Sequence, residues 1–168
     1  MKVCIVSDSH DQRHHLRTAV EQSRARGAEL VLHCGDVVAA GTLRALEPLQ
    51  LPVHVIHGNN LGDLYTLSKL ANKPGGIIHY HGQDARLEFL GLRVFMVHFP
   101  HYARALALTG DWDFVCCGHD HKPYIEPTTN IKGTTTWVLN PGSVAGFDAP
   151  PTYLFGDFET RQFEICTL

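Results

Sequence analysis

Through the first half of the chain, short β-branched runs alternate with helix-period stripes, and this alternation constrains the fold more than any other feature. Val3 to Val6 reads as a buried strand. Leu16, Ala19, Val20 and Ser23 then fall at i, i+3, i+4 and i+7, one face of a helix. Arg24 and Arg26, followed by Gly27, supply helix-stop chemistry. Leu30 to His33 is a second strand and Thr42 to Leu46 a short helix. Pro48 and Pro52 bracket the loop into a third strand, Val53 to His57. Leu61 to Ala71 follows as a helix, ended by Lys73-Pro74-Gly75-Gly76. Strand, helix, strand, helix, strand is the grammar of a parallel βαβ arrangement.

The second half changes character. Arg86–Leu90 and Arg93–Val97 flank Gly91-Leu92 and read as a β-hairpin with Gly opening the turn. Tyr102 to Thr109 is a short helix, and Phe114 to Cys117 another buried strand. Further strands are expected at Thr135–Leu139, Thr152–Phe155 and Gln162–Cys166. Hairpins appended to a βαβ start predict an α/β fold with two packed mixed β-sheets and helices outside. No repeat, low-complexity tract or linker interrupts the 168 residues, which predicts one domain over 1–168.

Composition narrows the function classes. A chain of this length buries roughly two-thirds of its unfolded surface and needs no disulfide or structural metal to fold. Net charge is −3 with His neutral, and no basic run exceeds two residues. Electrostatics therefore give no reason to expect general nucleic-acid or anionic-membrane binding. Five cysteines, an odd number with no C-x-x-C pair, argue against a disulfide framework and for a reducing compartment. The apolar run at the N-terminus is too short for a signal-peptide core, and no window approaches a membrane span. The expected setting is cytoplasmic. A homo-oligomer is compatible with the sequence. Twelve histidines are the outlier.

The histidines acquire meaning from position. Asp8-Ser9-His10 follows the first strand, Gly35-Asp36 the second and Gly58-Asn59-Asn60 the third. The hairpin's second strand ends in His98-Phe99-Pro100-His101, and the next in Gly118-His119-Asp120-His121. Open α/β sheets bind ligands outside the carboxyl ends of their strands. Each fragment alone has a structural explanation: Asp8 as a turn cap, Gly35-Asp36 as a turn, His98 as a buried histidine. All of them together, at strand ends, point to metal. Imidazole and carboxylate without thiolate suit Mn, Fe, Zn, Co or Ni rather than Ca or Mg alone. In an extended Gly-His-x-His segment, both imidazoles would share a face.

The ordered set Asp8-x-His10, Gly35-Asp36, Gly58-Asn59, His98 and Gly118-His119-x-His121 resembles the calcineurin-like metallophosphoesterase signature. Asn140-Pro141-Gly142-Ser143 resembles a segment of its small single-domain, YfcE-type branch. The resemblance implies a four-layer α/β/β/α sandwich and two divalent ions at the strand ends, with manganese the leading candidate. It implies that one ion takes Asp8, His10, His121 and a shared Asp36, and the other Asp36, Asn59, His98 and His119. It further implies hydrolysis of a small phosphate ester, a diester foremost, by a hydroxide bridging the two ions. The chemistry agrees. A carboxylate has two oxygens and can bridge two ions, as Asp36 would; Asn59 adds an oxygen ligand without cancelling charge. Two ions ~3.5–4 Å apart lower the pKa of bridging water and clamp phosphoryl oxygens.

The sequence departs from that family in three places. Asn60 stands where many members carry a histidine that acts on the leaving group. His98-Phe99-Pro100-His101 replaces a common His-Gly-His, and Ala39 replaces an acidic residue. His101 is the candidate substitute acid. His33 and His57 are candidates to donate a ring N–H to a metal-binding carboxylate. His14, His15, His54, His79 and His81 read as surface or structural, and Cys34 and Cys117 as packing residues. The alternatives are a phosphomonoesterase or nucleotidase with the same site, and a non-catalytic scaffold like the retromer subunit of this fold.

Overall fold

The computed structural model describes residues 1–147 and 149–168. Its larger sheet contains β1 (Lys2–Val6), β2 (Leu30–His33), β3 (Val53–Val55), β4 (Ile78–Tyr80), β10 (Thr152–Asp157) and β11 (Gln162–Thr167), in the order β11-β10-β1-β2-β3-β4. The smaller contains β5 (Asp84–Phe89), β6 (Leu92–Val97), β7 (Phe114–Cys116), β8 (Pro123–Thr129) and β9 (Thr135–Pro141), in the order β5-β6-β7-β9-β8. Both are mixed: β1 to β4 run parallel while β10 and β11 pair antiparallel, and β6, β7 and β9 are parallel between two antiparallel edges.

Three apolar layers explain why the strands read as near-continuous hydrophobic runs. Val3, Ile5, Leu30 and Leu32 of the larger sheet meet Val94, Met96, Phe114 and Leu139 of the smaller, forming the central core. The opposite face of the larger sheet, with Cys4, Val31 and Val53, is covered by α1 (Arg13–Ala25) and α2 (Leu64–Ala71). A 3₁₀ segment over Ala40–Leu49 completes that cover. The outer face of the smaller sheet, with Phe95, Val115 and Val138, packs on Ala103 and Ala107 of α3 (Pro100–Leu108). The expected α/β sandwich, with helices outside two packed sheets, is the observed one. No helix of the described residues is long and apolar enough to cross a membrane.

Several local expectations are corrected. The short helix expected at Thr42–Leu46 is the longer 3₁₀ segment, with Pro48 inside it. The helix expected from Leu61 begins at Leu64, because the Asp63 side chain accepts a hydrogen bond from the Thr66 amide at 2.9 Å and caps it there. The hairpin turns at Leu90-Gly91 and not Gly91-Leu92: Phe89 pairs with Leu92, and both turn residues are left-handed. Two strands escaped the pattern. β8 carries Pro123 and Pro127, which only an edge strand tolerates, and it is an edge strand. β4 is three residues long and also lies at an edge.

Candidate metal centre

The loops after β1 and β2 are sewn together by main-chain hydrogen bonds that continue the parallel pairing. The Asp8 amide donates to the Gly35 carbonyl at 3.0 Å and the His10 amide to the Asp36 carbonyl at 3.1 Å. Asp8, His10 and Asp36 all have positive φ, at 52°, 38° and 54°. The residues of the last loop, His119 and His121, do too, at 72° and 57°. Non-glycine residues reach this region at a free-energy cost and cluster there at functional sites. The shared-face argument for His119 and His121 therefore fails, since their backbone is not extended. The two rings reach different partners instead.

The side chains converge. His10 Nε2 lies 3.8 Å from Asp8 Oδ1 and 3.7 Å from Asp36 Oδ2, and His121 Nε2 lies 3.4 Å from Asp8 Oδ1. On the other side, His98 Nε2 lies 3.5 Å from Asp36 Oδ1 and 3.0 Å from Asn59 Oδ1. His119 Nδ1 approaches the same Asn59 oxygen at 2.8 Å. Asp36 thus faces both groups. Asp8, His10 and His121 form one cluster with metal-ligand spacing, and Asp8, Asp36 and His98 a second. Every residue expected at the centre is brought to it, apart from His101.

Glycine in two of the motifs is a matter of room. A Cβ on Gly58 would sit 2.1 Å from Asp36 Oδ1 and 2.7 Å from His98 Nε2. One on Gly118 would sit 1.9 Å from Ser7 Oγ and 2.6 Å from Asp8 Oδ2. Both chains pass too close to the donor atoms to carry a side chain.

The donor set fits divalent cations. Asp8 Oδ1 and His10 Nε2 are buried and have no hydrogen-bond partner among the described residues. Such groups are costly unless something satisfies them. A cation between them would do so, and imidazole with carboxylate is the ligand chemistry of first-row transition ions. Burial would raise the Asp8 carboxyl, but the His10 ring, Ser7, His98 and the His119 amide outweigh it and hold it below the ordinary value. Asp8 therefore stays anionic while fully buried, as a ligand must.

The supporting contacts include several the sequence did not disclose. Asn60, in place of the expected histidine, donates its amide to Asp36 Oδ1 at 2.9 Å and its side-chain Nδ2 to Oδ2 at 2.6 Å. The Asn140 side chain donates to the Gly118 carbonyl at 3.1 Å and to Asp120 Oδ1 at 2.8 Å, tying down the last histidine loop. Ser143 Oγ donates to the Asp8 carbonyl at 3.0 Å. The Asn-Pro-Gly-Ser segment thus supports the ligands without being one of them. His33 does not donate to a carboxylate: its Nδ1 accepts from the Gly35 amide, so Nε2–H donates to Ser9 Oγ at 3.0 Å. His57 meets the Tyr80 hydroxyl at 2.6 Å. His101 is exposed on the first turn of α3, its ring 4.1 Å from Tyr102 and 5.6 Å from Phe99, which in turn lies 4.7 Å from His119.

Residues 1–161 match the family model of the calcineurin-like phosphoesterase superfamily domain. The chain belongs to the calcineurin-like phosphoesterase superfamily. A protein of Methanocaldococcus jannaschii named as a phosphodiesterase is 29% identical to this phosphoesterase over 175 residues, covering 100% of the chain and 99% of the relative. The solved structure of an archaeal phosphodiesterase superposes with TM-score 0.87 at 28% identity over 100% of both chains. More distant structures share the fold. YfcE, a phosphoesterase from E. coli, superposes with TM-score 0.66 at 18% identity over 99% of each chain. Vacuolar protein sorting 29 from Cryptosporidium parvum gives 0.65 at 16%, over 99% of this chain and 96% of its own. Hydrolysis of phosphate esters is the activity that accompanies this membership and the metal-ready cluster.

Proposed function

We propose that this phosphoesterase is a phosphodiesterase that works with two divalent ions, manganese foremost, with iron, zinc, cobalt or nickel as substitutes. The observation that carries the reading is the pair of donor clusters that share Asp8, with Asp36 facing His10 on one side and His98 on the other, and with Asp8 Oδ1 and His10 Nε2 buried without a hydrogen-bond partner among the described residues. Full-length similarity to a relative named as a phosphodiesterase supports diester over monoester. Asp8, His10 and His121 would hold one ion, Asn59, His98 and His119 the other, and Asp36 both. Two such ions supply Lewis acidity, a nucleophile at neutral pH and a clamp for phosphoryl oxygens.

The chain's own residues do the rest. Asp36 presents one oxygen to each side, and Asn60 fixes the rotation of that carboxylate by donating to both oxygens. Asn59 contributes a neutral oxygen, which leaves the centre positive enough to attract an anionic ester. Asn60 is a poor proton donor, and His101, exposed on the first turn of α3 outside the ligand cluster, is the imidazole to test as proton donor to the leaving oxygen. The five free thiols, four of them buried, support a reducing, cytoplasmic setting.

The test is metal analysis together with hydrolysis of bis(p-nitrophenyl) phosphate and p-nitrophenyl phosphate, with and without a chelator. The expected result is about two ions per chain, faster diester than monoester hydrolysis, loss of activity on chelation and near-native circular dichroism throughout. Bound metal without hydrolysis of either ester would favour the scaffold reading, which rests on fold alone.

A further inference from the structure

A groove leaves the metal centre between α3 and the β5–β6 hairpin. Its near part is a cavity of ≈ 220 Å³ whose wall includes Gly58 and His98, both in contact with the Asp36 carboxylate region, together with Leu61, Phe99 and Tyr102. Its far part is a cavity of ≈ 420 Å³ between Phe95 and Val97 on the sheet and Ala105 and Leu106 on the helix. Gln83, Val97 and Tyr102 line both parts, so the two adjoin. Together they reach the size of small-ligand pockets, ~300–1,000 Å³.

The wall has a definite chemistry. Neither part contains Lys or Arg, and its one charge, Asp84, lies in the far part. An anionic tail would be repelled in the far part, where a polar one would find only Gln83, Asp84, Thr109 and the Tyr102 hydroxyl; the near part adds His57 and His98. Tyr102 and Leu61 stand half exposed at the entrance, at 52% and 50%. Phe95, by contrast, is 6% exposed and packed on Trp112 with ring centroids 4.8 Å apart, so the floor is rigid. Exposed aromatic and aliphatic side chains beside a charged centre are the usual make-up of a substrate pocket.

We propose that this groove binds one alcohol substituent of the phosphodiester, and that the substituent is neutral and apolar, an alkyl or aryl group. The inference rests on the phosphodiesterase reading, because continuity with His98 is what puts the phosphoryl group at the groove's mouth. Each fully buried methylene strengthens binding about 4-fold.

The test uses n-alkylphosphonates, whose C–P bond resists hydrolysis, titrated calorimetrically into the manganese-loaded protein. Hexylphosphonate should bind at least ~30-fold tighter than methylphosphonate, given partial burial of the added methylenes. Leu106→Glu should reduce that ratio to below ~3-fold. Ala105→Glu, at an exposed helix position that folds whatever Leu106 does, should reduce it as well. Equal affinity for both phosphonates, or a chain-length preference that survives both substitutions, overturns the groove. Calorimetry is independent of turnover, so the two readings fail separately. Diester hydrolysis with a flat chain-length profile rejects the groove alone. A steep profile without hydrolysis supports the groove and rejects the hydrolytic reading.

Discussion

Two kinds of place in this molecule hold non-glycine residues at positive φ. In the loops after β1, β2 and β7 they are Asp8, His10, Asp11, Asp36, Val38, His119 and His121. Elsewhere they are Gln50 after the 3₁₀ segment, Leu90 in the β5–β6 turn and Arg161 between β10 and β11. At the turns, the conformation serves chain reversal, and the side chain is incidental. At the metal centre five of the seven, Asp8, His10, Asp36, His119 and His121, carry donor side chains, and the loops are bent to deliver them. Main-chain bonds between the two loops and the Ser143 contact to the Asp8 carbonyl hold the bend in place. Strain at the centre should therefore be inseparable from function, and strain at the turns removable.

Asp36→Asn should have the largest effect. Asn tolerates the left-handed backbone at least as well as Asp, so the substitution changes charge and bridging capacity but not the turn. An amide offers one oxygen where the carboxylate offers two. We expect loss of at least one metal equivalent and a ~10³-fold or greater drop in diester kcat/KM, about 4 kcal/mol. The chelated variant should keep its circular dichroism. Retention of both ions at near-normal turnover would reject the bridging assignment.

His101→Ala probes a residue outside the ligand cluster, on the first turn of α3, where the backbone is helical and no left-handed bend is involved. If His101 supplies the proton, the variant should lose ~10²-fold on diesters with poor alkyl leaving groups. It should barely change on p-nitrophenyl esters, whose leaving group needs no proton. The measurement is rate against leaving-group pKa, and equal slopes for wild type and variant would remove His101 from the reaction.

His33 tests how the bent loops are held. It is fully buried and clips the two loops as a neutral ring, accepting from Gly35 and donating to Ser9. Burial pushes its pKa down to about 4. The unfolded value is ~6.5, so the native state binds fewer protons between these limits. Its contribution to stability is complete above pH 6.5 and is lost progressively as pH falls toward 4. Between pH 7 and pH 5 the loss should be about 2 kcal/mol. Urea unfolding of chelated protein at the two pH values reads it directly, without interference from metal release. His33→Gln should flatten the difference. An unchanged pH slope in the variant would show that other groups carry it.

Much of the centre was legible because ligand identity and strand termination are written in the same short segments. Val3–Val6 followed by Asp8-Ser9-His10 states both the strand and what it delivers. The hidden parts depend on contacts between segments distant in sequence. Asn60 looked like the loss of a catalytic histidine; only the fold shows it gripping Asp36. The role of Asn140 required β9 to lie beside the loop at Gly118. The spacing of His119 and His121 was informative for a wrong reason, since the argument assumed an extended backbone. β8 stayed invisible because two prolines, permitted at a sheet edge, imitate a loop. The groove beside α3 is a property of how the helix fails to cover β6, and no periodicity encodes that.

The smallest predicted effect lies at the turn and has the opposite sign. Leu90 and Gly91 adopt φ of 53° and 77°, and Phe89 pairs with Leu92, which together define a two-residue type I′ hairpin turn. Type I′ turns prefer Asn-Gly, because Asn enters the left-handed region with less steric penalty than a bulky side chain. Leu90 is 63% exposed, so little apolar burial is lost on replacing it. Leu90→Asn should therefore stabilise the protein by ~0.5–1 kcal/mol, read as a raised urea midpoint with unchanged slope. Metal content and diester turnover should stay at wild-type levels, since the turn lies at the opposite end of β6 from His98. A destabilised variant would mean that Leu90 packs more than its exposure indicates. The division between removable strain at the turns and functional strain at the metal centre would then fail at its simplest case.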